Sequence, residues 1–349
     1  MPICMSIVYC NSRGMMSWEL SKGERMFSDK RSNLAKIVAL STVVVLGLSA
    51  CGSSTPKADS GSDSGEKYTI AMITHETPGD TYWDIIRAGA NAAAKSLGVT
   101  LKYSSDPDFT KQATLVQNAI DSKVDGIAMT AAGPDALVEV VKAAKNAGIP
   151  VSMFDSGIDD FIRLGAGQYF GSDEYVAGQA LGKSITKAGG KHALCVIHQE
   201  GSVALEARCK GVGEGVKSTN MQVNGTDDAS MNASMTAKLQ QDKSIDWVVT
   251  MGAPVALVAA KSVSAAGSKA QIGTFDLNLD AAKAIKDGTL AIAVDAQPYA
   301  QGYMAVVSLY LYITNGNDLG GGKAVLTGPS MVDKSNIDKI LPFAEKGTR

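Results

Sequence analysis

Polar side chains gather at the ends of short hydrophobic runs in this chain. His75 and Glu76 follow the run 68–74, Asp155 closes 151–155, and His198, Gln199 and Glu200 end the run 192–198. Asp276 closes 271–276, and Asp295 to Gln297 end 290–295. Carboxylates, imidazoles and amides serve metal ligation, acid–base hydrolysis, or hydrogen bonding to a polar ligand. His75, His192 and His198 are the 3 histidines of the chain, and they lack the close spacing of a zinc site. A hydrolase could use Asp155, His198 and Glu200, but no G-x-S-x-G nucleophile turn occurs. Several converging polar strand ends suggest a lined cleft. No catalytic residue, metal or cofactor is expected.

These residues sit on a regular alternation of β-rich and Ala-rich helical runs. Strands are expected at 68–74, 99–104, 125–130, 151–155 and 166–170, then at 192–198, 222–226, 246–251, 271–276 and 290–295. Helical stretches lie between them, near 82–97, 111–122, 134–147, 173–188, 202–218, 230–242, 254–266, 279–287 and 299–314. Gly98, Gly148 and Gly267 stand where helix ends need a left-handed residue. Strict β–α alternation implies parallel sheets covered by helices on both faces. This many strands exceeds one open sheet, so two doubly wound lobes are expected. In such sheets ligands bind beyond the carboxyl ends of the strands, where the polar residues are.

Several segments carry a resemblance across about Tyr68 to Leu341. They are Asp80-Thr81-Tyr82-Trp83 before Gly89-Ala90, then Ala147-Gly148-Ile149-Pro150-Val151 leading to Phe154-Asp155, and Gly171-Ser172-Asp173 with Ala177-Gly178. Arg208 before Gly211 follows, then Gly273-Thr274-Phe275-Asp276, and Gln297-Pro298-Tyr299 with Gln301-Gly302. In this order the chain resembles type I periplasmic sugar-binding proteins, the ribose-binding-like receptors of ABC transporters. The resemblance implies two α/β lobes joined by three crossings, near Gly171, Asp276 and Ala296. Lobe one would hold 67–171 and 277–296, and lobe two 172–276 and 297–345. It implies a monomer that traps a small neutral sugar or polyol between its lobes and delivers it to an ABC permease. A sensor subunit that presents its closed lobes to a membrane signalling protein uses the same closure.

The resemblance also assigns roles. Tyr82 and Trp83 occupy positions of stacking aromatics. Asp80, Asp155, Arg208 and Asp276 match ligand-contacting positions, and Gln297 stands beside Ala296, where the family carries Gln. His75 and His198 flank the cleft as hydrogen-bonding groups, whereas His192 begins a strand and is structural. Ser156, Gly252 and Ala253 depart from the ribose pattern, which has Arg at the first position and Asn-Asp at the other two. These losses tell against ribose itself.

The N-terminal region points outside the cytoplasm. Lys30, Arg31 and Lys36 precede the apolar run Ile37 to Leu48, and Leu48-Ser49-Ala50-Cys51 resembles a lipobox. Cleavage before Cys51 and lipidation of its sulfur would export the chain and anchor it to the outer face of the cell membrane. The apolar run is short of the ~20 residues of a spanning helix. Residues 1–25, with Cys4, Cys10 and Trp18 in no periodic pattern, precede a complete signal that begins at Met26, which is the expected true start. Residues 51–66 read as a flexible tether. A repressor of similar lobes would carry a helix-turn-helix in this place.

The whole chain has 33 Lys+Arg against 35 Asp+Glu. The first 50 residues hold six of the basic and three of the acidic groups, so 27 face 32 in the remainder. That balance argues against a nucleic-acid partner. With Cys51 lipidated, Cys195 and Cys209 either form a disulfide or remain two buried thiols.

Overall fold

The computed structural model describes residues 67–349. The signal segment, Cys51 and the tether lie outside the described residues. Lobe one begins with β1 (Thr69–Thr74), α1 (Tyr82–Leu97), β2 (Thr100–Ser105), α2 (Phe109–Asp121) and β3 (Gly126–Met129). It continues through α3 (Val138–Asn146), β4 (Val151–Phe154), α4 (Phe161–Leu164) and β5 (Gln168–Gly171). Lobe two holds α5 (Glu174–Lys187), β6 (His192–Ile197), α6 (Val203–Gly215), β7 (Lys217–Gln222) and α7 (Asp228–Gln241). It goes on with β8 (Trp247–Thr250), α8 (Ala253–Ala265), β9 (Gln271–Phe275), α9 (Leu279–Asp287) and β10 (Ile292–Asp295). The chain ends with α10 (Pro298–Asn315), β11 (Val325–Leu326), β12 (Ser330–Asp333) and α11 (Ile337–Ala344).

The strands form two six-stranded sheets, ordered β11-β5-β4-β3-β1-β2 and β12-β10-β9-β8-β6-β7. Pairing is parallel except where β12 runs antiparallel to β10. Alternate residues of the central strands enter different cores, as helices on both faces require. In β1, Ile70 and Met72 join one apolar cluster, and Ala71 and Ile73 join the other. In β6, Leu194 and Val196 face one core, and Ala193, Cys195 and Ile197 face its counterpart. The Cys195 and Cys209 sulfurs lie 2.06 Å apart inside the second of these cores, which ties α6 to the strand before it.

The sheets correct the expected division of the chain. Residues 277–296 were assigned to lobe one, but β10 pairs with β9 (Ile292 beside Gly273) and α9 buries Ala281, Ala282 and Ile285 in the lobe-two core. A βαβ unit that continues its own sheet has no reason to cross. Residues from 297 were assigned to lobe two, yet α10 contributes Ala305, Val306 and Leu309 to the lobe-one core, and β11 pairs with β5. Only β12 and α11 return to lobe two. The crossings therefore lie at 172–173, 296–297 and 327–329, and Asp276 is a strand end rather than a crossing. A second correction concerns β7, expected at 222–226 and found at Lys217–Gln222. This edge strand is polar and half exposed, so hydrophobicity does not mark it.

Helix α10 can reach lobe one because it approaches α1 through glycine. A Cβ on Gly302 would stand 2.1 Å from the Ile86 carbonyl oxygen, and one on Gly89 would stand 2.0 Å from that of Tyr299. Both obstacles are backbone, which cannot swing aside. Gly302→Ala gains about 1 kcal/mol of helix propensity, but it forces apart the pair that anchors the second crossing. Urea unfolding should show a net loss of roughly 1–3 kcal/mol. A neutral or stabilising result would mean that the two helices are free to separate.

Candidate ligand-binding site

A cavity of about 420 Å³, including its mouth, is lined by residues that directly follow β1, β4, β6, β8 and β9. The first two of these strands belong to lobe one and the other three to lobe two. Of the residues expected at the site, His75, Asp80, Tyr82, Trp83, Asp155, His198, Arg208 and Asp276 all line this space.

Two aspartates hold matching backbone positions. Asp155 ends β4 and Asp276 ends β9, and each has φ of 65°. The Asp155 N–H donates to the Phe170 carbonyl at 3.0 Å, and the Asp276 N–H donates to that of Val294 at 2.8 Å. Each is thus tied to the next strand while its left-handed backbone turns the side chain out of the sheet. Such conformations are uncommon outside glycine and persist where the surroundings impose them.

The side chains of the two aspartates meet different partners. In lobe one, Tyr82 donates its hydroxyl to Asp155 Oδ1 at 2.6 Å, and Ser156 donates to Oδ2 at 3.1 Å. Tyr169 donates to the Asp155 carbonyl at 2.6 Å. His75 Nε2 stands 4.0 Å from Oδ2, while its Nδ1 bonds the Thr130 hydroxyl at 2.7 Å. Trp83 meets the His75 ring edge to face, with centroids 4.8 Å apart. Asp80 receives the Tyr82 N–H at 3.1 Å, so it shapes the start of α1 while it lines the cavity.

In lobe two, Arg208 is buried and held on three sides. Its Nη1 donates to Asp276 Oδ2 at 2.9 Å and its Nη2 to Oδ1 at 3.3 Å, a two-pronged pairing. Its Nε donates to Glu174 Oε2 at 2.5 Å, Nη1 also reaches the Met251 carbonyl at 2.9 Å, and the guanidinium lies over the Phe275 ring. Glu174 was not anticipated, because a first-turn acid after Asp173 reads as ordinary helix chemistry. Its Oε1 is buried without a partner. Arg208 lines the cavity and is also a structural cation, since its loss would leave two buried carboxylates unpaired. Breaking a buried pair in this way costs about 3–5 kcal/mol.

Burial sets the protonation states. It pushes the Asp276 carboxyl up to about 8 against the pull of Arg208, and raises Asp80 to about 6. It lowers His75 and His198 to about 4, so both imidazoles are neutral at pH 7. The departure at Gly252 has a counterpart in His198. A Cβ on Gly252 would stand 3.4 Å from His198 Cε1, so the imidazole stands beside the space a side chain at 252 would take. His198 Nδ1 and Ser202 Oγ are buried polar atoms without a protein partner.

Gln297 is a correction. It does not line the cavity but caps α10 with φ of 58°, and its side-chain amide donates to the Thr327 carbonyl. Its N–H donates to Asp295 Oδ1 at 2.7 Å, and Arg349 donates to Asp295 Oδ2 at 2.6 Å. The left-handed turn that sends the chain back to lobe one directs this side chain onto the neighbouring crossing. His192 is structural, bonding Ser244 and Thr219 at 2.8 Å each.

Comparison with known proteins agrees with this geometry. Residues 70–318 match the periplasmic binding protein domain. A carbohydrate transporter from Acidothermus cellulolyticus 11B, solved in complex with myo-inositol, is 55% identical with a TM-score of 0.80. That match covers 81% of this chain and 100% of the other. A D-apiose import binding protein of Actinobacillus succinogenes is 27% identical over 79% of this chain and 91% of its own length. A xylose/arabinose-binding protein of Sulfolobus acidocaldarius is 28% identical over 78% and 73%.

The imidazoles give a pH test. Between pH 6.5 and about 4, each takes up a proton in the unfolded chain but not in the folded one, so stability falls as pH drops through that window. His198→Gln removes one such group. From pH 7 to pH 4, the wild-type Tm should fall relative to the variant's by roughly 3–6 °C. A gap that stays constant would mean that folded His198 accepts a proton as readily as it does in water.

Proposed function

The chain belongs to the periplasmic binding protein family, and we propose that it is an exported receptor that shuts its lobes around a cyclic polyol or sugar. The captured ligand passes to an ABC permease. One observation carries this reading: lobe one and lobe two each send a left-handed aspartate and an imidazole into the same cavity. Neither lobe alone surrounds the space, so a ligand that touches both favours the shut state.

The side chains suit a neutral, hydroxyl-rich guest. Arg208 offers donors, Asp155 and Asp80 offer acceptors, and His198 Nδ1 and Ser202 Oγ await partners that ligand hydroxyls supply. Tyr82 and Trp83 give aromatic surface to a C–H face. Nothing in this arrangement activates a nucleophile; the polar groups solvate rather than cleave. The 55% identity to a protein crystallised with myo-inositol makes that cyclitol the leading ligand, in keeping with the losses from the ribose pattern. Lipid on Cys51 would hold the receptor, as a monomer, at the outer face of the membrane, and a Cys195–Cys209 bridge suits that oxidising compartment.

Thermal unfolding with myo-inositol, D-ribose, D-xylose and D-glucose tests the ligand. At 100 times its dissociation constant, myo-inositol should add about 2.7 kcal/mol of stability and exceed the pentoses. No shift with any cyclitol, pentose or hexose would refute a polyol or sugar receptor. Fractionation of cells tests the anchor: Cys51→Ser should move the protein from the membrane to the soluble fraction. An unchanged distribution would place the attachment elsewhere.

A further inference from the structure

Among the described residues, three hydrogen bonds join the lobes away from the crossings. The Val203 N–H, at the start of the helix that carries Arg208, donates to the Ala132 carbonyl at 3.1 Å. Gln199 Nε2 donates to the Pro107 carbonyl at 3.4 Å. The third links two side chains: Asn278 Nδ2 donates to Thr81 Oγ1 at 2.9 Å, between residues 197 apart in sequence.

Asn278 is built to aim that donor. Its Oδ1 accepts the Ala281 N–H at 2.8 Å and so caps α9, which fixes the amide plane and points the NH₂ group away from its own helix. The side chain is buried, 9% exposed, whereas Thr81 is exposed. The Thr81 hydroxyl makes no capping bond to α1, so Asn278 is the partner it has among the described residues. Thr81 lies between Asp80 and Tyr82, which both line the cavity. A bond to Thr81 from the other lobe therefore fixes the turn that presents those two side chains.

We infer that Asn278 is a positioning residue, an amide clasp that seats the Asp80–Tyr82 turn on the ligand when the lobes shut and retards ligand release. The inference rests on the lobe-closing receptor proposed above. The bond exists only in the shut state, because parting the lobes returns both groups to water. It therefore shifts the open–shut equilibrium without touching the ligand. A net hydrogen bond of ordinary strength changes that equilibrium about two- to tenfold. Ligand enters and leaves through the open form, so losing the clasp speeds dissociation and does not slow association.

The test uses Thr81→Val, which removes the acceptor at constant shape, and Asn278→Ser, which keeps a helix cap but cannot reach Thr81. Stopped-flow Trp fluorescence with myo-inositol should show dissociation about two- to tenfold faster in each variant, with association no slower. The double variant should dissociate no faster than the faster single one, the mark of a shared interaction. Unchanged dissociation, or effects that multiply in the double variant, would overturn the clasp. Thr81→Val alone decides the matter if Asn278→Ser fails to fold. Small-angle scattering without ligand supplies a second arm: wild type should be more compact than Thr81→Val, and equal radii of gyration would overturn the clasp. If wild type ignores myo-inositol while the scattering difference is present, the ligand assignment fails and the clasp stands.

Discussion

The guanidinium of Arg208 is the group on which the lobe-two half of the site depends. Glu174 and Asp276 are both buried, and two carboxylates cannot be carried into a protein interior without a cation between them. Arg208 meets one through Nε and the other through a two-pronged contact, so its plane is fixed before any ligand arrives. The elements that deliver these three residues must agree in position: α5 for Glu174, α6 for Arg208, and β9 for Asp276. The Cys195–Cys209 contact at the middle of α6 serves that agreement, since it fixes the helix one residue beyond Arg208. Burial nevertheless raises both carboxyls above their ordinary range, because the cation only partly offsets lost hydration.

Lobe one solves the same geometric problem without a cation. Asp155 and Asp276 share a strand-end position, a left-handed backbone and an N–H tied to the neighbouring strand. Yet Asp155 is held by the neutral hydroxyls of Tyr82 and Ser156. The cavity therefore has two unlike walls built on one backbone plan, one carboxylate held by neutral hydroxyls and one held by a guanidinium.

Much of this was readable in the sequence because strands buried on both faces announce themselves as apolar runs, and their polar ends then mark the cleft. His75, Asp155, His198 and Asp276 follow from that rule, with Tyr82, Trp83 and Arg208 added by resemblance. The rule fails where burial is not the organising force. Strand β7 lies at a sheet edge and carries Lys217, Ser218, Thr219 and Asn220, so its residues give no apolar signal. The assignment of 277–327 failed for a different reason. Which sheet a βα unit joins is decided by long-range contacts, such as Gly302 against Ile86 and Ile292 beside Gly273, and local pattern carries no trace of them. Gln297 followed the polar strand-end rule into error. Its strand end is also a crossing, and the amide is used there to bind Thr327.

The loss of the ribose-type amide at Gly252 and the presence of His198 belong together. An imidazole held neutral by burial keeps one ring N–H and one bare ring nitrogen, so it preserves the donor-and-acceptor character of an amide. It stands directly beside position 252, where a Cβ would meet Cε1 at ordinary contact distance, 3.4 Å. The end of β6 thus supplies an imidazole beside the end of β8, which carries no polar side chain at Gly252 or Ala253. The imidazole is a rigid plate, and its buried Nδ1 has no protein partner.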